Sequence, residues 1–285
     1  MRFAVEQSGQ SRPADVSNMA VSTGEPIAVS TVRAVTMVLM SGDPSPFASD
    51  AAAAGQSEAT SGSAWRQILR GSRGVPTTRW TAGHMWRPTP ASFMSLIVGL
   101  WLFGTGEAFL FAANLGATPW GVLAQGVSRH VGIDIGWATF VVGIVVLLAW
   151  IPLKQRPGLG TISNIIVISI AVDVVYSHMS TPPTLLLRFL LMLAGIATIG
   201  LGSGFYLTAG HGPGPRDGWM TGLHRVTGRP VGQIRLVIEI GVLIVGWLLG
   251  GTVGIGTALF ARLIGQSVAL GLSIVKSIAP HHKAG

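Results

Sequence analysis

The chain has 285 residues, 49% of them hydrophobic and only 11% charged, whereas soluble domains carry about 25% charged residues; with a mean hydropathy of +0.56 this excludes an ordinary soluble enzyme and points to a multi-span membrane protein. The absence of cysteine excludes disulfides, thiolate metal sites, iron–sulfur clusters and cysteine nucleophiles. A net charge of +8 would suit nucleic acid, but the basic residues sit between apolar runs, as they do on the loops of a bilayer protein, so no nucleic-acid partner is expected.

Residues 1–64 are rich in Ala, Ser, Thr, Gly and Pro and almost free of aromatics. Such a segment cannot bury enough apolar surface to offset its ordering entropy, which predicts a disordered N-terminal extension. Residues 65–91 form a basic juxtamembrane segment, in which Arg66, Arg70, Arg73, Arg79 and Arg87 alternate with Trp65, Trp80 and Trp86, as suits a chain lying against anionic lipid. Six apolar segments follow, at about 92–113, 136–153, 161–178, 184–207, 233–251 and 256–276, each near the ~20 residues that cross a bilayer. The expected fold is therefore an all-α membrane protein of six transmembrane helices. With both termini cytoplasmic, the inner loops hold Lys154, Arg156, Arg216, Arg225, Arg229, Lys276 and Lys283, the last of these in a cytoplasmic tail at 277–285, and the outer loops only Arg129.

Two short helices are predicted between spans. Pro119 and Pro215 suit the first helical position, Gly132 and Gly228 suit the position just past the end, and Asp217 falls in a first turn where the helix dipole favours an acid. Each helix reads either as an interfacial connector or as a re-entrant half-helix whose N-terminus points into a cavity.

A shift of 96 residues without gaps superposes the chain on itself. Phe93 meets Phe189, Gly99 meets Gly195, Gly104 meets Gly200, Gly106 meets Gly202 and Gly116 meets Gly212. Pro119 then meets Pro215, Arg129 meets Arg225, and the Gly-Leu-Gly-Thr at 158–161 meets the Gly-Ile-Gly-Thr at 254–257. The repeats span residues 92–178 and 184–276. Three spans per unit is an odd number, so the second unit enters the membrane in the opposite sense: two inverted-topology three-helix repeats, an arrangement of secondary transporters whose sites lie where the halves meet.

Intramembrane charge supplies the functional hint. At ~1.5 Å per residue, Glu107 lies ~22 Å and Asp173 ~18 Å from the cytoplasmic ends of their helices, while Arg262 lies ~9 Å and Arg188 ~6 Å from outer ends. These four are expected to share one outer polar layer. Arg235 and Glu239, four residues apart, can pair on one helix face toward the cytoplasm. His211 and His224 flank Asp217 without any zinc-site spacing, and no nucleophile elbow, P-loop or dinucleotide fingerprint appears in its required context. Catalytic residues, cofactors and metals are therefore not expected, and the chain is not expected to be an enzyme.

At these motifs the sequence resembles the YczE/YitT-like family of bacterial integral membrane proteins. The resemblance covers about residues 92–270. It is carried by Leu115-Gly116 with Pro119-Trp120, by 158–161 followed by Asn164 and Asp173, by Gly212 through Gly218, by Arg235 with Glu239, and by Leu249 through Thr257. It implies a six-span inner-membrane protein that transports or regulates. Two positions depart from the family pattern: Gly121 stands where members tend to have an acid, and Gly265-Gln266 where they tend to have Gly-Pro.

The expected function is that of a small-molecule or ion transporter with a polar pathway built from Glu107, Asp173, Arg262, Asn164, Pro215, Arg216, Asp217, Arg235 and Glu239. The alternative is a regulatory or scaffolding membrane protein whose Arg-rich cytoplasmic loop meets a protein partner. Both have the lipid bilayer as a partner, and the first a small solute or ion.

Overall fold

The computed structural model describes residues 75–280. The expectations for residues 1–64 and for Arg66, Arg70, Arg73 and Lys283 lie outside the described residues. Eight helices follow in order: α1 (Pro90–Ala113), α2 (Pro119–Val131), α3 (Ile135–Leu148), α4 (Leu159–Ser177), α5 (Leu185–Thr208), α6 (Pro215–Thr227), α7 (Val231–Leu248) and α8 (Ile255–Ile278). Five of them are long and apolar enough to cross a membrane, and α2 and α3 form a pair bent by 115° that makes six if the two together count as one broken span. Among the described residues every named element is a helix, and the chain is a multi-pass membrane protein.

Each predicted segment became a helix. The second stops early, at Leu148, because the chain turns through 149–154 and buries Trp150. Its 14 residues reach only about 21 Å, too short to cross alone. The two short helices open on Pro119 and Pro215 and close on Gly132 (φ 76°) and Gly228 (φ 67°), left-handed positions that a residue bearing a Cβ adopts only at a cost.

Helix α1 is the centre of the fold, packed on α5 and α4, while α8 packs on α5 and α2 on α7. The share of its apolar window buried inside the protein is 61%, against 17% for α7. Outward faces are apolar, with Leu185, Val237 and Leu248 more than two-thirds exposed, as contact with lipid acyl chains requires. Close approach of α1 and α5 depends on small residues: Gly99 lies against the Gly202 carbonyl and Gly106 against that of Gly195, so the two helices run antiparallel.

The Gly-x-Gly-Thr sequences cap helices and clamp loops. Thr161 and Thr257 reach back to the N–H groups of Gly158 and Gly254, starting α4 and α8. Gly160 N–H donates to the His211 carbonyl at 2.8 Å, and Gly256 N–H to the Leu115 carbonyl at 2.7 Å. A Cβ at either glycine would stand within 3.0 Å of loop backbone, so glycine is needed for close approach. These clamps hold the loops that lead into α6 and α2.

The described part of the basic segment folds back on the bundle. Trp80 stacks on Phe205 and donates to Thr208 Oγ1, Thr81 donates to the Thr208 carbonyl, and Ala82 N–H donates to the Ala209 carbonyl. Residues 78–82 therefore cover the end of α5.

Candidate functional site

The site is assembled where the short helices begin. Helix α2 starts well inside the end of α1: Thr118 Oγ1 donates to Glu107 Oε1 at 3.3 Å and accepts from Gly121 N–H at 2.8 Å, so one hydroxyl caps α2 and ties it to α1. Helix α6 starts beside α5, with Tyr206 OH donating to Asp217 Oδ2 at 3.4 Å. Both N-termini turn inward. Arg216 thereby lies 5.2 Å above the Trp120 ring, and Trp120 meets Trp219 edge to face.

Arg216 also reaches Glu107, with Nη1 3.5 Å from Oε1. Glu107 is 1% exposed and its Oε2 is buried without a hydrogen-bond partner. A buried unpaired carboxylate oxygen is costly, so the pair holds a local weakness; among the described residues Gln155 Nε2 is the other buried side-chain polar atom without a partner. Beside it lies a cavity of about 30 Å³, lined by Trp120, Thr139, Asn164, Ser169, Pro215 and Arg216 among apolar residues of α2, α3 and α4.

A second polar group lies next to the first. Arg235 donates to Glu239 at 2.8 Å along one face of α7, as their spacing predicts. Asp217 is exposed on the α6 side, held by the Tyr206 hydroxyl.

The expected outer layer of four charges is not assembled. Asp173 packs half-buried against Gly136, Arg262 is exposed on α8, and Arg188 donates to the Pro182 carbonyl. Distance along a helix gives depth but not direction around the axis, and Arg262 faces outward. Glu107 instead pairs with Arg216, which the sequence assigns to a cytoplasmic loop. Asn164, Pro215 and Arg216 do share the cavity, whereas Asp217, Arg235 and Glu239 are not among its lining residues.

Thr118, Trp120, Thr139, Ser169 and Tyr206 complete the site without having been among the expected pathway residues. The available signal was positional, since Thr118 and Trp120 flank the helix-opening Pro119. His211 is a structural tie: its ring bonds Ser92 at 3.0 Å and the Met85 carbonyl at 3.3 Å. Among the described residues no group of three or more His, Cys, Asp or Glu is placed to hold a metal ion.

Comparison with known proteins accords with this architecture. The profile of a family of unknown function, DUF6198, matches residues 91–272. An uncharacterized protein of Haemophilus influenzae is 39% identical over 209 residues, covering 73% of this chain and 95% of that protein. The uncharacterized membrane protein YczE of Bacillus subtilis is 30% identical over 165 residues, covering 58% of this chain and 76% of its own length. The uncharacterized protein YyaS of the same organism is 23% identical over 188 residues, 65% of this chain and 94% of YyaS. No solved structure matches. The chain belongs to the DUF6198 family and is a YczE-like membrane protein.

Proposed function

We propose that this protein is a carrier for a small solute or ion, built from two inverted-topology three-helix repeats in a bacterial inner membrane with both termini cytoplasmic, and that it does no covalent chemistry. The observation that carries this reading is the contact of Arg216 with Trp120 beside a polar cavity and the buried Glu107. Under the shift of 96 residues Trp120 and Arg216 are equivalents, and in this reading a pseudo-two-fold axis passes between them. The same operation exchanges the Gly99·Gly202 contact with Gly195·Gly106, and the Leu115·Gly256 hydrogen bond with His211·Gly160. Inverted-repeat transporters bind substrate at such an axis, between half-helices whose N-termini point at the ligand. Helices α2 and α6 are the half-helices in this reading.

Because the chain has no cysteine, single-cysteine labelling with a membrane-impermeant thiol reagent tests it directly. His130 and Val226 are exposed, near the ends of α2 and α6, and 96 residues apart. His130→Cys should label only from outside and Val226→Cys only from inside. Ser169→Cys, in the cavity wall, should label from both sides of the membrane as the carrier alternates. Labelling of positions 130 and 226 from the same side would refute the inverted repeat. A Ser169→Cys variant inert from both sides would refute transport and favour a static scaffold.

A further inference from the structure

The identity of the cavity's ligand can be taken one step further, resting on the carrier reading above. Among the cavity-lining residues Arg216 is the one charged group, and no acid lines the wall. The hydroxyls of Thr139 and Ser169 already donate to the carbonyls of Ile135 and Ile165 on their own helices. Free hydrogen-bond donors among the lining residues are therefore the Asn164 amide, the Trp120 indole N–H and the Arg216 guanidinium, which has five N–H groups and spends one on Glu107 at 3.5 Å. Trp120 holds the guanidinium plane from one face.

A cavity that offers a cation and an amide and no acid suits an anion. Its volume, about 30 Å³, admits roughly two water-sized groups. The present occupant of Arg216, Glu107, is a poor one, held at the limit of hydrogen-bond distance with its second oxygen unpartnered. We propose that the cavity binds a small planar monoanion of formate or nitrate size, which takes Arg216 from Glu107 in a bidentate, charge-assisted contact while Glu107 takes up a proton from solvent. One anion and one proton enter together, so the buried charge is unchanged.

Another carboxylate lies close by: Asp217 Oδ2 and Asn164 Nδ2 stand 3.6 and 3.5 Å from the same point, the position of a Cβ built on Gly214. Helix α6 brings Asp217, which is bonded to Tyr206 of α5, and α4 brings Asp173 and Tyr176; the hydrogen bonds to Glu107 come from Thr118 and Arg216 alone among the described residues. Arg235 is engaged by Glu239.

The test is calorimetric titration of the purified full chain in detergent with sodium nitrate and sodium formate, against ammonium gluconate and sodium chloride. Nitrate and formate should bind with 1:1 stoichiometry, and the affinity should rise toward tenfold for each unit fall in pH while the carboxylate is ionised. Glu107→Gln should bind as tightly as the wild type at low pH and show no pH dependence. Glu107→Gln/Arg216→Gln, which leaves no buried charge stranded and so keeps the fold, should lose at least tenfold in affinity. Undiminished binding to that double variant, binding of ammonium in place of nitrate, equal affinity for chloride, or a pH-independent wild type would each overturn the proposal. The two readings fail separately. Anion binding with Ser169→Cys inert from both sides removes the carrier and keeps the site, whereas Ser169→Cys reactive from both sides without anion binding removes the anion and keeps the carrier.

Discussion

The contact between α1 and α5 predicts the effect of a single methyl group. An ideal Cβ built on Gly106 would stand 2.6 Å from the Gly195 carbonyl oxygen, 2.6 Å from Ile199 Cγ1 and 2.9 Å from Ile199 N. Two of these are backbone atoms, so no rotamer change relieves the clash, and α5 must retreat by about 0.8 Å to restore ordinary contact. A gap of that size along the helix forfeits roughly a quarter to a half of each dispersion contact it opens. Overpacking of a filled core costs about 1–3 kcal/mol, from which the helix propensity gained on Gly→Ala, about 0.5–1 kcal/mol, is subtracted. Gly106→Ala should therefore destabilise by about 1–2 kcal/mol. Gly265 in α8 supplies the control: nothing lies within 4 Å of its built Cβ, so Gly265→Ala should keep the propensity gain and stabilise. The propensity gain is common to both, so reversible unfolding of the two variants in the same detergent reads the overpacking cost alone, about 1–3 kcal/mol. That would be roughly 2–12 °C in midpoint for a chain of this size. Equal stability of Gly106→Ala and Gly265→Ala would refute the close backbone contact. The Gly99·Gly202 contact gives the same expectation for Gly99→Ala.

Three further substitutions probe the site. Arg216→Gln strands the Glu107 carboxylate and should destabilise by about 2–3 kcal/mol, the 3–5 kcal/mol of a fully buried pair being reduced because the Arg216 side chain is 29% exposed; adding Glu107→Gln should recover most of that loss, and strict additivity in the double-mutant cycle would contradict the pairing. Trp150→Phe removes the indole N–H that donates to the Pro215 carbonyl at 2.9 Å, leaving a buried acceptor bare, and should lower stability by about 1–3 kcal/mol in the same unfolding assay, a neutral result arguing against the bond. Thr118→Val loses both the cap of α2 and a donor to Glu107 and should cost about 1–2 kcal/mol, whereas Thr118→Ser retains both roles and should unfold like the wild type; similar losses in the two variants would exclude the hydroxyl as the cause.

What the sequence made legible was whatever depends on neighbours along the chain. Apolar runs of sufficient length located the spans, proline and glycine bounded α2 and α6, and the four-residue spacing of Arg235 and Glu239 gave their pairing. The Glu107–Arg216 pair was hidden because it depends on how far α6 turns back into the protein. Polar residues such as Arg216, Asp217, His224 and Arg225 make that helix read as a cytoplasmic segment, and nothing local records that its N-terminus lies beside Trp120. Arg262 misled for the complementary reason. Its distance from a helix end was readable, but the face it occupies on α8 was settled only by packing on α5.

Two helix crossings whose residues are related by the 96-residue shift differ in one contact. Where α2 crosses α7, Gly126 lies against the Gly246 carbonyl and Gly246 against Leu123 N, so the two backbones touch. Where α6 approaches α3, the equivalent of Gly246 is Trp150, a buried side chain inserted against Gly218 and bonded to the Pro215 carbonyl. The indole stands where the other crossing has bare backbone contact, and its N–H holds the Pro215 carbonyl, so the start of α6 is fixed by a side chain and not by backbone packing. Pro215 and Arg216 both line the cavity, which makes Trp150 a support of that wall although it lies outside the lining itself.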